Sequence, residues 1–434
     1  MPQPRPALPT HETIFTVDPV PLKYGHGALA ELGGDARGLG MTRVGLFTDR
    51  TVAGLPCMTT ALAALREAGL DVVVYDAVEV EPTDRSFAAA AAFAQSARLD
   101  GFVSLGGGSV MDTAKAANLL STWPDDLLAY VNAPVGGAKP VPGPLKPHIA
   151  CPTTCGTGSE TTGVAIFDLP ERQLKTGISN RLLKPRLAVV DPTATYTLPA
   201  GVVAATGFDV LTHAIESYTA RLFTSRDRPA APALRPPYQG ANPWSDGGAL
   251  EAIRLGGRYL ERAAADAADT EARDFLTFAA TLAGMSFGNA GVHIPHAMSY
   301  AVAGLNHEYR AAGYDAAGHG MVPHGISVVV NAPAAFRFTA DADPQRHLTA
   351  AAALGADIHQ AGPDDAGAVL AGRLAEMMRA TGIPNGLSDI GYTDADIPAL
   401  VNSAWPQQRL LVQAPKPVTE ADLADLFRAA MRYW

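Results

Sequence analysis

The stretch GFVSLGGGSVMDTAKAANLL, residues 101–120, decides the fold. It opens as a short apolar run of strand length and closes with the Ala- and Leu-rich spacing of a helix, and three glycines join the two. Gly106, Gly107 and Gly108 allow a tight turn and a close approach of backbone to a ligand. Ser109 and the first helical amides can then present N–H groups to an anion, aided by the helix dipole. The spacing is neither GxGxxG nor a P-loop, since no GK[ST] follows. Taken alone, the turn also admits a plain reading as a glycine-rich connection.

Working outward, RVGLFTD (43–49), GLDVVVYDAV (69–78), PHIACPTT (147–154) and PRLAVVDP (185–192) are further apolar runs of strand length. Between them lie Ala-rich segments such as MTTALAALREAGL and SFAAAAAFAQSARL, with helical spacing. Strands separated by helices argue for βαβ units and a mostly parallel sheet. After TYTLPAGVVAATG the texture becomes long, amphipathic and helical. The expectation is an α/β dinucleotide-binding domain over residues 1–197, then an all-α domain over 198–434. The Pro-rich piece LFTSRDRPAAPALRPPYQGANPWSD (222–246) reads as a long functional loop.

Two pieces converge on the glycine turn. Asp49 closes the first predicted strand, where an acid can hold a ribose hydroxyl; a turn or helix-cap role is equally open. CPTTCGTGSETTG (151–163) is a second small-residue loop after a strand. Loops at the carboxyl ends of parallel strands are where such sheets bind dinucleotides.

Composition bounds the function. With 434 residues, 47% hydrophobic, 18% charged and a net charge of −10, the chain is enzyme-sized and lacks the basic patch of a nucleic-acid binder. Three cysteines without CxxC spacing point to a reducing compartment. The N-terminal stretch shows neither an apolar h-region nor an Arg- and Ser-rich presequence. No run approaches the roughly 20 apolar residues of a membrane span. Cytoplasmic location, without membrane or nucleic-acid partners, is the expectation.

A second stretch, GFDVLTHAIESY (207–218), places Asp209 and His213 at i and i+4 on one face of an apolar helix, with Glu216 further on. A buried charge must be paired or bound to a metal. GNAGVHIPHAMSY adds His293 and His296, and GHGMVPHGISVVV adds His319 and His324. A carboxylate with imidazoles suits a divalent first-row metal, although spacing alone does not choose among these histidines.

In chain order, GGGSVMDTAK, PTTCGTGSETT, VVDPTATYTLP, GFDVLTHAIESY and MVPHG resemble the iron-containing (group III) alcohol dehydrogenase family over nearly the whole length. Within it, TTGVAIFDLPERQLKTGISNR, RPPYQGANPWSD, FGNAGVHIPHAMSYAVAGL and ADIPALV resemble the hydroxyacid-oxoacid transhydrogenase branch. The resemblance implies a dehydroquinate synthase-like fold, with metal and cofactor in the cleft between the two domains. It implies Asp209, His213, His296 and His324 as metal ligands, for Fe(II) first and Zn(II), Mn(II) or Ni(II) as compatible ions. His293, His307 and His319 are then non-ligands, and Glu216 either orients His213 or is a plain helix carboxylate.

It further implies NAD(H) aligned by Asp49, Gly106, Gly107, Gly108, Ser109, Asp112, Thr153, Thr154 and Lys175. Asp49 favours NAD over NADP by repelling a 2′-phosphate. Lys175 rests on KTGI; an exposed strand lysine is the alternative. Tyr300 stands where many alcohol-oxidising members carry a second histidine, so a phenol replaces a histidine relay. Cys155, where relatives often have Ser, reads as a small buried thiol.

The implied chemistry is Lewis-acid assisted hydride transfer to nicotinamide. In the transhydrogenase branch the nicotinamide is retained: 4-hydroxybutyrate becomes succinic semialdehyde and 2-oxoglutarate becomes 2-hydroxyglutarate. Arg235, in ALRPPYQG near the metal helix in sequence, is the expected partner of the substrate carboxylates. The rival expectation is an NAD(P)-dependent reductase of a small aldehyde, anionic or neutral, with exchanging cofactor. A non-enzymatic scaffold fits less well, since all four ligand types are present. A homo-oligomer, dimer or larger, is also implied.

Overall fold

The computed structural model describes residues 10–434. Eight strands form in its first half: β1 (Leu22–Tyr24), β2 (Arg43–Phe47), β3 (Asp71–Tyr75), β4 (Gly101–Gly106), β5 (His148–Pro152), β6 (Val164–Leu169), β7 (Leu174–Ser179) and β8 (Leu187–Val190). Six of them make one parallel sheet in the order β1-β8-β5-β4-β2-β3. Helices cover both faces of that sheet, which is why all six residues of β4 and all five of β5 are buried and read as unbroken apolar runs.

All five strands expected from the apolar runs are present. Three others were not foreseen. β1 is a three-residue edge strand, so Asp49 follows the second strand of the chain and not the first. β6 and β7 pair antiparallel as a hairpin outside the main sheet.

From Ala200 onward the described structure is helical. The central helix, Ala200–Thr219, packs against Pro243–Ala265, Thr270–Ala290 and His324–Val329 and is buried on nearly every side. The 222–246 segment is not one structureless loop. It holds 3-10 turns at Phe223–Ser225 and Pro232–Leu234, and its last residues already belong to the helix Pro243–Ala265. The start signal is local: Asn242 caps the Ser245 amide, Ser245 returns a bond to Asn242, and Pro243 occupies the first turn. No single helix among the described residues is long and apolar enough to cross a membrane.

Arg273 ties the sheet-to-helix junction to the helical core. Its fully buried guanidinium donates to the carbonyls of Ala263 (3.1 Å), Thr195 (3.1 Å) and Leu198 (3.3 Å). Hydrogen bonds to a charged donor are worth more than neutral ones, and their loss leaves buried carbonyls unsatisfied. Arg273→Leu is expected to lower stability by about 2–4 kcal/mol, read as a drop in the denaturant midpoint.

Candidate active site

Asp209, His213 and Glu216 all lie on the buried core side of the helix Ala200–Thr219. His296 arrives from the helix Ile294–Leu305 and His324 from the first residue of His324–Val329. One ligand atom from each of Asp209, His213, His296 and His324 lies within 4.8 Å of every other. Asp209 Oδ1 is 3.6 Å from His213 Nδ1, 3.7 Å from His296 Nε2 and 3.6 Å from His324 Nε2.

These distances exceed hydrogen-bond length, and Asp209 Oδ1, His213 Nδ1 and His296 Nε2 are buried without a hydrogen-bond partner. Orphaned buried polar atoms are rare in folded proteins. One carboxylate and three imidazoles aimed at a common point fit a divalent first-row cation in donor type and number. Burial pushes His213 down to about 3 and also lowers His324, which keeps their lone pairs available. Burial works to raise Asp209, but the three imidazoles outweigh it and hold its carboxyl below the usual range.

Supporting contacts fix the ligand geometry. The His213 ring stacks on Phe287 at 4.0 Å between centroids. Glu216 does not orient His213, as one expectation had it. Its Oε2 takes a close bond with His296 Nδ1, and its Oε1 accepts from the backbone amides of His293 (2.8 Å) and His296 (3.3 Å). The start of the Ile294–Leu305 helix docks on that carboxylate, which turns His296 Nε2 toward Asp209. His293, one turn earlier, is fully buried and meets Thr219 Oγ1 at 3.1 Å, while His307 and His319 are exposed. Gly325 explains the PHG motif: a Cβ there would lie 1.9 Å from the Ala205 carbonyl oxygen, so only glycine lets His324 approach Asp209 this closely.

All four ligands line one cavity of about 640 Å³. Asp49, Gly107, Gly108, Ser109, Asp112, Thr153, Thr154 and Lys175 line the same cavity. The helix Gly108–Thr122 begins at the turn with no side-chain cap, so its first amides are available to an anion. Gly108 also permits the second loop to close in, because a Cβ there would meet Thr157 Cγ2 at 2.7 Å. Gly106 is not in the lining; its carbonyl accepts from the Thr153 amide at 3.0 Å.

Other expected cofactor residues carry structural work as well. Asp49 is a helix cap, accepting from the amides of Thr51 (2.8 Å) and Val52 (2.9 Å), and it lines the cavity too. Asp112 is engaged by Ser159 Oγ (2.6 Å) and the Ile166 amide (2.9 Å). Lys175 is no exposed strand lysine: it is buried on β7, closely paired with Glu81 and 3.0 Å from Asp168. Burial opposes its charge, but the two carboxylates win and raise it. Glu81, at φ 57°, was not foreseen, although EVEPTD follows a strand end where ligand loops lie.

Tyr300 lines the cavity, and its Oη accepts from Arg409 Nη2 at 3.2 Å. Burial keeps its phenol protonated. Cys155 is buried beside Thr206 Oγ1 at 3.6 Å, and burial raises its thiol. Arg235 is corrected: it does not line the cavity, and Glu12 compensates its charge through Nε–Oε2 at 2.9 Å. Nearness in sequence to the Asp209 helix did not become nearness in space.

Residues 19–192 match the family description "Iron-containing alcohol dehydrogenase", and residues 238–431 match "Fe-containing alcohol dehydrogenase family, C-terminal". The chain belongs to the iron-containing alcohol dehydrogenase family. It is an oxidoreductase, and the family uses NAD(H) and a metal. It is 48% identical to the Bos taurus protein named "Hydroxyacid-oxoacid transhydrogenase, mitochondrial", over 99% of this chain and 92% of that one. Among solved structures it is similar to 1,3-propanediol oxidoreductase, with a TM-score of 0.83, 29% identity and coverage of 96% and 100%. It is also similar to sulfoacetaldehyde reductase from Bifidobacterium kashiwanohense in complex with NAD+, with a TM-score of 0.78, 25% identity and coverage of 97% and 99%.

The cytoplasmic expectation is overturned. The Bos taurus relative and its Pongo abelii and Homo sapiens counterparts are named mitochondrial.

The Glu216–His296 contact yields a direct test. Glu216→Gln keeps the shape but removes the charge, so metal affinity is expected to fall by about 10- to 100-fold. Competitive titration against a chelating dye reads it, and an unchanged affinity would contradict the orienting role.

Proposed function

We propose that this chain is a hydroxyacid-oxoacid transhydrogenase, taking hydride from 4-hydroxybutyrate and passing it to 2-oxoglutarate through a retained nicotinamide. The observation that carries the reading is the single cavity in which four converging metal-type ligands face an uncapped helix N-terminus. The 48% identity to the Bos taurus transhydrogenase supports the choice of substrates.

In this reading residues 1–197 carry NAD(H) and residues 198–434 the metal. Asp209, His213, His296 and His324 hold the cation, with Fe(II) as the native ion and Zn(II), Mn(II) or Ni(II) as substitutes. The bound groups supply Lewis acidity toward the substrate oxygen and a hydride acceptor. Gly107, Gly108 and Ser109 meet the cofactor phosphates through backbone N–H groups, and Asp49 faces the ribose and disfavours a 2′-phosphate. Gly106 shapes the turn. Thr153, Thr154 and Asp112 hold the second loop against it. Lys175, fixed by Glu81 and Asp168, orients the nicotinamide end, and the neutral Tyr300 phenol donates a hydrogen bond to substrate. A homo-oligomer, dimer or larger, belongs to the same proposal.

Protein reconstituted anaerobically with Fe(II) is expected to form 2-hydroxyglutarate from 4-hydroxybutyrate and 2-oxoglutarate with no nucleotide added. Failure of that reaction, with NAD(P)H oxidised by small aldehydes, would replace this reading by an ordinary reductase with exchanging cofactor.

A further inference from the structure

An anionic substrate needs a cation at the end remote from the reacting carbon. Among the described residues lining the cavity, Lys175 is the one lysine or arginine, and Glu81 and Asp168 already hold it. The acids in the lining include Asp49, Glu79, Glu81 and Asp315. Away from the four metal-type ligands the lining therefore leaves a carboxylate without a free lysine or arginine, and a cation in the wall behind the lining has to receive it.

Arg409 is such a group. It lies in the short helix Gln408–Leu411, whose Leu410 lines the cavity. Its Nη2 donates to Tyr300 Oη at 3.2 Å, and its guanidinium carbon is 5.9 Å from the centre of the Tyr238 ring. Both tyrosines line the cavity, and Tyr300 follows His296 by one turn on the same helix.

The partners of Arg409 differ from those of Arg235, Arg346, Arg373 and Arg273. Arg235 has Glu12, Arg346 has Asp246, Arg373 has Glu261, and Arg273 has three backbone carbonyls. Arg409 has phenols, which burial keeps neutral. It forms no ion pair with any carboxylate among the described residues. A guanidinium carries five N–H donors in a planar fork that matches a carboxylate in two parallel bonds.

We propose that Arg409 is the specificity-determining residue that receives the substrate's remote carboxylate at the Tyr238–Tyr300 wall of the cavity. This rests on the hydroxyacid reading above. It assigns the site to acids bearing a hydroxyl or carbonyl at one end and a carboxylate at the other, the first toward His296 and the second toward Arg409.

The test uses full-length, metal-reconstituted protein and two readouts. Calorimetry with succinate, which cannot react, is expected to show binding by wild type that weakens about 100-fold in Arg409→Gln and less in Arg409→Lys, because loss of a charged partner in an enclosed site is costly. In kinetics, kcat/KM for 4-hydroxybutyrate relative to 1-butanol is expected to fall about 100-fold in Arg409→Gln, mainly through KM. Equal losses on both substrates, succinate affinity unchanged in Arg409→Gln, or no succinate binding by wild type would each overturn the proposal. Arg409-dependent succinate binding without nucleotide-free transfer would support this site while removing the transhydrogenase reading.

Discussion

A carboxylate buried at the centre of a helical core is the constraint on which the rest of the structure depends. Asp209 is 1% exposed on a helix whose other neighbours are almost all apolar. Isolated charge in such surroundings is disfavoured by several kcal/mol, as an order of magnitude. His213 and His324 are held neutral by burial, so they contribute lone pairs to the cluster rather than charge. Burial opposes charge on His296, but Glu216 and Asp209 outweigh it and raise it to about 9, so a proton there or a cation among the four groups offsets the charge of Asp209. Each neighbouring element is arranged accordingly: Phe287 fixes the His213 ring, Glu216 aims His296, and Gly325 brings His324 within reach.

The glycine-turn part of the cavity obeys a different rule. There the ligand-facing groups are backbone amides at the start of the Gly108–Thr122 helix, and the side chains mostly hold loops in place. Asp112 is an example: it lines the cavity, but both of its oxygens are occupied by the 159–166 segment. A wall built from amides suits phosphate, while a wall built from side-chain donors suits a metal. Two kinds of chemistry thus meet in one space because a parallel sheet ends where a buried helix begins.

How much of this could be read from the chain depended on the range of the interactions. The strands β2, β4, β5 and β8 were legible because burial leaves continuous apolar runs, the edge strand β3 because its core is a run of three valines, and Asp209 with His213 because one helical turn joins them. Choosing His296 over His293 needed the family likeness. The structure supplies the reason: the helix starts at Ile294, so His293 turns back to Thr219 while His296 faces the cluster. The β6–β7 hairpin, the burial of Lys175 and the Tyr300–Arg409 contact were not legible. The Lys175–Glu81 and Tyr300–Arg409 partners stand 94 and 109 residues apart, beyond any local pattern. Arg235 failed for the same reason in reverse, since it pairs with Glu12 across 223 residues.

The charge pattern of the cavity also bears on selection among substrates. A cavity lined with more acids than cations repels anions on average, yet an ion responds most strongly to the nearest charges. On the reading proposed here there are two positive poles, the cation among Asp209 and the three histidines and the guanidinium at Tyr300. Several acids of the lining are engaged by amides, hydroxyls or Lys175. A molecule with an oxygen at one end and a carboxylate at the other satisfies both poles, whereas a neutral alcohol satisfies one. Length then enters selection as well as charge, because one helix contributes His296 to the first pole and, through Tyr300, a hydrogen bond that holds the second. A longer or shorter acid can reach only one of them, so its binding loses what the second pole would have added. Discrimination by spacing needs a rigid frame, and the buried helix Ile294–Leu305, anchored at its start on Glu216, provides one.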